Sequence, residues 1–156
     1  MQWEEVPEVQ PGPGEARLRQ TKVGLNYIDV YQRSGGYKLA LPAGIGMEGV
    51  GVVDAIGDGV EDVKVGDRVG YVMGPPGSYA EQRTYPAERL IPLPDDISDT
   101  QAAGMLLKGL TVSYLIHRTY KVQAGDTVLF HAAAGGVGMI ACQWLKQKGA
   151  TVIGTI

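Results

Sequence analysis

The chain has 156 residues, 44% of them hydrophobic and 20% charged, the balance of an ordinary soluble globular protein. Lys and Arg number 14 against 17 Asp and Glu, a net charge of −3 with no basic tract, which argues against nucleic acid or an anionic membrane surface as a partner. The single cysteine, Cys142, excludes an internal disulfide and fits a reducing compartment, and no apolar run is long enough to span a bilayer.

Glycines (23) and prolines (9) make up about a fifth of the chain, with no triplet period and no Ser/Gln tract, so they read as frequent tight turns. The start, Met1-Gln2-Trp3-Glu4-Glu5, is acidic and lacks the basic-then-apolar layout of a signal peptide. Up to about Pro94 short strand-like runs alternate with turns. Ala16–Val23, Val50–Gly57, Arg68–Val72 and Ser78–Tyr85 are the runs; Pro11–Gly14, Gly57–Gly59, Val65–Asp67 and Gly74–Gly77 are the turns between them. Strands this short and this closely spaced predict a small, irregular β-barrel.

After Pro94 the period changes from two to that of a helix. Ser98 is placed to cap a helix carrying Ala102, Ala103, Leu106, Leu107 and Leu110. Gly104 and Gly109 are expected to break the stretch into two helices, the second carrying Val112, Leu115 and Ile116 and ending near Lys121. Then come a strand over Thr127–Phe130, a glycine-rich turn, a helix over Val137–Lys148 with Gly149 as its cap, and a strand over Thr151–Ile156. That is one βαβ unit, the opening of a doubly wound parallel sheet.

The turn itself reads Ala133-Ala134-Gly135-Gly136-Val137-Gly138, a dinucleotide fingerprint with alanine at the first glycine position. Gly135 lets the backbone approach a pyrophosphate and Gly138 lets the helix lie close on the strand, while the free amides of the turn and the positive end of the helix that begins at about Val137 face the phosphates. The alternative is a tight strand-to-helix turn that binds nothing. The ribose-reading side chain of such a fingerprint falls about 20 residues further on, just beyond Ile156, so a partial chain is expected.

Gly125-Asp126-Thr127-Val128-Leu129-Phe130-His131-Ala132 followed by that turn, with Gln143-Trp144-Leu145-Lys146, resembles the signature of the quinone oxidoreductase/zeta-crystallin branch of the medium-chain dehydrogenase/reductase superfamily. Gly46-Met47-Glu48-Gly49-Val50-Gly51 resembles the superfamily's Gly-His-Glu motif, and Val65-Gly66-Asp67-Arg68-Val69 the turn that follows it. Gly24-Leu25-Asn26-Tyr27-Ile28-Asp29-Val30-Tyr31, running on to Gly36-Tyr37, and Leu107-Lys108-Gly109-Leu110-Thr111-Val112 resemble the quinone reductase versions of two further segments. The resemblance covers essentially the whole chain. It implies a GroES-like catalytic domain over residues 1–96, lacking its first strand, and the truncated start of an NAD(P)-binding Rossmann domain over 97–156.

The function implied is NADPH-dependent reduction of a small quinone or enone by hydride transfer, in a cytoplasmic, homo-oligomeric parent enzyme, with this chain alone poorly active. Two alternatives stay open: an enoyl-thioester reductase of the same fold, and a non-catalytic nucleotide-binding or structural fragment. By the same resemblance Asn26, Tyr27, Ile28, Asp29, Val30 and Tyr31 approach the cofactor and Tyr31 and Tyr37 orient a substrate carbonyl; Thr111, near the domain junction, is placed to hydrogen-bond the nicotinamide side and Tyr114, one turn on, to contact the dinucleotide, with a plain amphipathic helix as the alternative for these two. A phenol donates to a carbonyl and stacks on a flat ring, whereas the plain reading is that Asn26 and Asp29 cap a turn and the tyrosines merely pack.

No metal is expected. Met47 stands where the zinc-dependent members carry His, and a thioether is not a usual zinc ligand. His117, His131 and Cys142 supply no ligand cluster by spacing, and Cys142 reads as a small core residue.

Overall fold

The computed structural model describes residues 1–156. They form two compact units, Met1–Leu106 and Leu107–Ile156. The division falls inside a helix, later than the 96/97 boundary implied by the resemblance, because the first half of that helix packs on the β-sheet of the first unit.

In the first unit the strands are β1 (Glu15–Val23), β2 (Glu48–Ile56), β3 (Arg68–Val72), β4 (Gln82–Pro86) and the two-residue β5 (Ile91–Pro92). They make one antiparallel sheet in the order β4-β1-β2-β3-β5, with β4 and β5 at its ends. Two register shifts along the β1–β2 ladder, at Arg17/Leu18 and Gln20/Lys22, supply the irregularity that the closely spaced runs implied. One face carries Ala16, Leu18, Val53, Val69, Tyr71 and Tyr85 into a core that Val63, Ala87 and Leu90 complete. Inside that core lies a cation. The Arg83 guanidinium carbon is 5.0 Å from the centroids of both Tyr71 and Tyr85, and Nη2 donates to the Pro75 carbonyl at 2.9 Å, which offsets the cost of burying the charge.

The run Ser78–Tyr85 is strand only from Gln82 onward. Gln20 explains the difference: its side-chain amide donates to the carbonyls of Ser78 (2.8 Å) and Ala80 (2.6 Å), so those carbonyls are taken by a side chain. Between β1 and β2 lies α1 (Tyr27–Ser34), closed by Gly35 in the left-handed region at φ 81°.

The helix α2 spans Asp99–Tyr114 without a break and runs on into a π-type turn over Leu115–Thr119. The expected division at Gly104 and Gly109 does not occur. Each glycine costs about 1 kcal/mol of helix propensity relative to alanine. Continuous apolar burial outweighs it: Ala102, Ala103 and Leu106 pack with Val50, and further along Val112 and Ile116 are buried in the second unit. The N-terminus is capped as its sequence predicts, with Ser98 Oγ accepting from the Gln101 amide at 3.2 Å and Gln101 Oε1 accepting from the Ser98 amide at 2.9 Å.

The second unit contains the rest of α2, β6 (Thr127–Phe130), α3 (Gly136–Gln147) and β7 (Thr151–Gly154). The strands pair in parallel from Thr127↔Thr151 to Phe130↔Gly154, as a βαβ unit requires. Ala141 and Leu145 of α3 are fully buried against Val112, Ile116 and Val122, while Cys142 is half-buried and in no disulfide.

Candidate functional site

Two clusters hold the residues singled out by sequence, one in each unit. In the second unit the chain leaves β6 at Phe130, turns, and enters α3 at Gly136. The turn is fastened twice to the segment after β7: the Ala133 amide donates to the Thr155 carbonyl at 2.8 Å, and the Thr155 amide to the Phe130 carbonyl at 3.0 Å. The first i→i−4 bond of α3 runs from the Met139 amide to the Gly135 carbonyl, so the amides of Gly136, Val137 and Gly138 lie in the helix's first turn with no partner one turn earlier.

Gly138 is buried, and a Cβ there would meet the Ala132 carbonyl oxygen and, at 2.6 Å, both Cα and the carbonyl oxygen of Ala133. All three are backbone atoms, so the turn closes this tightly only on glycine. No acidic residue stands in the first turn of α3 and no side chain caps it. The positive end of the helix is therefore left to an external anion, and the cradle fits a pyrophosphate. From α2, the stem of Lys108 lies over Gly136, its Cε 2.9 Å from where a Cβ would stand. Thr111 is half-buried and its hydroxyl donates to the Leu107 carbonyl at 2.7 Å; Tyr114 is half exposed.

In the first unit the segment from Asn26 to Tyr37 surrounds α1. The Asn26 amide donates to Asp29 Oδ2 at 2.9 Å and the Asp29 amide to the Asn26 carbonyl at 3.0 Å, so this pair opens the helix, as the plain reading of the sequence has it. Asp29 is 2% exposed. Its Oδ2 also accepts from the Tyr79 hydroxyl at 2.9 Å, and its Oδ1 is buried without a protein partner. Burial first, and then the bond to Asp29, push the Tyr79 phenol up to about 12. Asn26 is likewise buried, and its Nδ2 donates to Glu48 Oε2 at 2.7 Å.

The tyrosines face outward. Tyr27 and Tyr31 meet edge to face at 5.0 Å between ring centroids, and Tyr31 and Tyr37 are tilted at 5.3 Å. All three are more than 40% exposed, so the rings form an accessible aromatic row one helical turn from the buried Asn26–Asp29 pair. Ile28 and Val30 are half-buried supports of the helix, and Arg33 is exposed. Sequence reasoning gave no role to Glu48, Tyr79 or Lys108. Glu48 lay inside a motif already singled out, and an acid at the centre of Gly46–Val50, an otherwise uncharged run, was its signal.

Residues 12–95 match the family model of the alcohol dehydrogenase GroES-like domain. Over its whole length the chain is 50% identical to a quinone oxidoreductase of Pseudomonas aeruginosa, covering 48% of that protein. It is 48% identical over 99% of its length to a 2-haloacrylate reductase of a Burkholderia species, again covering 48% of the relative. Among solved structures, Escherichia coli quinone oxidoreductase complexed with NADPH superposes with a TM-score of 0.96 at 45% identity, over 98% of this chain and 47% of that one. The chain thus spans about half the length of the relatives it matches.

Proposed function

Because the chain belongs to the alcohol dehydrogenase GroES-like domain family, within the medium-chain dehydrogenase/reductase superfamily, we propose that it serves an NADPH-dependent reductase of quinones or related α,β-unsaturated carbonyls. The observation that carries this reading is the glycine turn, where backbone-tight packing at Gly138 leaves the first turn of α3 open to a dinucleotide phosphate. A relative that is a quinone oxidoreductase, another that is a 2-haloacrylate reductase, and a quinone oxidoreductase solved with NADPH support the substrate class and the cofactor.

NADPH, when bound, supplies the hydride. The protein's part is to hold and orient. The amides of Gly136, Val137 and Gly138 bind the pyrophosphate, with Gly135 keeping the approach clear. Thr111 attends the nicotinamide half and Tyr114 the dinucleotide, and Asn26 with its neighbours Tyr27, Ile28, Asp29 and Val30 on α1 approach the nicotinamide. Asp29 acts from within, by fixing the helix start. Tyr31 and Tyr37 would donate hydrogen bonds to a substrate carbonyl, on which negative charge grows during reduction, and solvent, which reaches both rings, would supply the proton that the reduced product takes up. The reaction proceeds without zinc, because a buried thioether at Met47 is a poor ligand for it and His117, His131 and Cys142 supply no ligand cluster by spacing. A reducing cytoplasm suits the free thiol of Cys142.

The test is steady-state NADPH oxidation by the protein extended to the length of its relatives, with a naphthoquinone as acceptor, together with direct titration of NADPH. Saturable binding and turnover with the quinone are expected. Turnover of a crotonyl thioester but not of the quinone would replace this reading with an enoyl-thioester reductase. Absence of NADPH binding would leave a non-catalytic role.

A further inference from the structure

We infer that Glu48 is a positioning residue for the dinucleotide: its buried carboxylate fixes which way the Asn26 carboxamide points. Glu48 is on β2, Asn26 at the start of α1, and the bond between them is 2.7 Å long and wholly inside the protein. A fully buried acid is costly, and this chain accommodates it at the expense of another side chain. At Gly24 a Cβ would collide with the Glu48 carboxylate and would stand 2.5 Å from the Ala103 carbonyl, so position 24 must be glycine for the acid to lie there. The Gly24 amide also donates to the Glu48 backbone carbonyl at 3.0 Å, which closes the two segments on each other.

The consequence is chemical. The Asn26 Nδ2 group is directed at Glu48 and, at 3.5 Å, at the Gly24 carbonyl, so both its hydrogens point into the protein. What Asn26 offers a ligand is then an acceptor and not a donor: the second lone pair of Oδ1, beside the one that faces the Asp29 amide in the capping box. An acceptor recognises the amide NH2 of nicotinamide or a ribose hydroxyl. Without the carboxylate the amide is free to flip and present its NH2 group instead. This inference rests on the reading that α1 attends the cofactor, and it adds the residue that sets the polarity of that contact.

Two variants, made in the protein extended to the length of its relatives, separate positioning from plain support. Glu48→Gln keeps an oxygen for Asn26 Nδ2, whereas Glu48→Met keeps the volume and removes the acceptor. Glu48→Met is expected to weaken NADPH binding about five- to tenfold, the worth of one well-made hydrogen bond, and to lower the melting temperature, because the buried Asn26 Nδ2 group loses its acceptor. Glu48→Gln is expected to retain affinity within about threefold of the native protein. In this chain itself, the Asn26 side-chain amide protons should be protected from exchange in the native and Gln forms and unprotected in the Met form. Native NADPH affinity in Glu48→Met, whatever its melting temperature, would overturn the inference while leaving the proposed function standing. Failure of the native protein to bind NADPH would overturn both.

Discussion

The Tyr79 hydroxyl donates a 2.9 Å hydrogen bond to Asp29 Oδ2, tying the loop before β4 to the first turn of α1. Asp29 is two residues from Tyr31, so the bond anchors the helix that displays the aromatic row. The same loop is fixed from its other side by Gln20, whose amide holds Ser78 and Ala80. The site helix is therefore held through side chains of β1 and of the β3–β4 loop, not by helix propensity.

Tyr79→Phe removes this bond and little else. It should lower stability by about 1 kcal/mol at neutral pH, the net worth of a partly solvated hydrogen bond. Its pH dependence has a definite sign. The phenol titrates at about 12 when folded, above the roughly 10 of an unfolded tyrosine. Its contribution is fully present below the unfolded value and is lost as pH rises through the folded one. Denaturant unfolding of the native and Phe forms should thus converge at strongly alkaline pH. A gap that stays constant up to the folded value would refute the assignment.

The period of the residues made the βαβ unit legible in sequence, because strand, glycine turn and helix are each encoded within a few positions of one another. The Asn26–Asp29 pair was legible for the same reason, its two members lying three positions apart, although its capping role and its proposed cofactor-side role are written with the same letters. Glu48 is 22 positions from Asn26, and Tyr79 is 50 from Asp29, and nothing local in the sequence announces either bond. Gly104 and Gly109 misled for a complementary reason: local propensity counted against the helix, and tertiary burial of its apolar residues decided the outcome. Ser78 and Ala80 followed a strand pattern whose carbonyls a distant glutamine had already taken.

Asp99, the first residue of α2, ties the helix to the sheet. Thr21 on β1 donates to its Oδ2 at 2.6 Å and Arg68 on β3 to its Oδ1 at 3.0 Å. The Thr21 bond first, and the Arg68 guanidinium after it, hold the carboxyl below its ordinary range against the opposing effect of burial. A depressed folded value means stability present above the unfolded carboxylate pKa and lost as pH falls through the folded one. Asp99→Ala should cost about 1 kcal/mol at neutral pH, its helix-start charge included. Melting curves of the two proteins should differ at pH 7 and approach each other only as pH falls below the ordinary carboxylate range. Equal separation at pH 7 and below that range would show that the carboxylate is not the source.

Zinc content tests the donor set directly. With Met47 6% exposed where a histidine ligand would stand, purified protein is expected to carry well under one equivalent of zinc by elemental analysis. Chelator treatment should leave NADPH oxidation unchanged in the protein at its relatives' length. A tightly held equivalent whose removal abolishes turnover would overturn the metal-free reading.

The two inner glycines of the turn should behave differently, because what a new Cβ would meet differs in kind. At Gly138 it meets the Ala132 carbonyl oxygen and the Ala133 backbone at 2.6 Å, atoms fixed by the hydrogen bonds from the turn to Thr155 and Phe130. They cannot retreat without opening the turn. Gly138→Ala should therefore cost about 1–3 kcal/mol of stability, as overpacking does, and weaken NADPH binding by about tenfold or more, since the amides that meet the pyrophosphate move with the backbone. At Gly136 the Cβ meets Lys108 Cε at 2.9 Å and Cδ at 3.0 Å, the outer part of a flexible side chain. Lys108 can swing aside, and alanine gains helix propensity over glycine. Gly136→Ala should thus change stability by less than about 1 kcal/mol. Whatever affinity it loses then comes from the displaced lysine or from the new methyl at the phosphate, and Lys108→Met, which removes the charge and leaves the turn as it is, separates the two. Thermal melts and NADPH titrations of the three variants decide the matter. If Gly138→Ala and Gly136→Ala proved equally mild in both measurements, the turn would not be the tight dinucleotide cradle described.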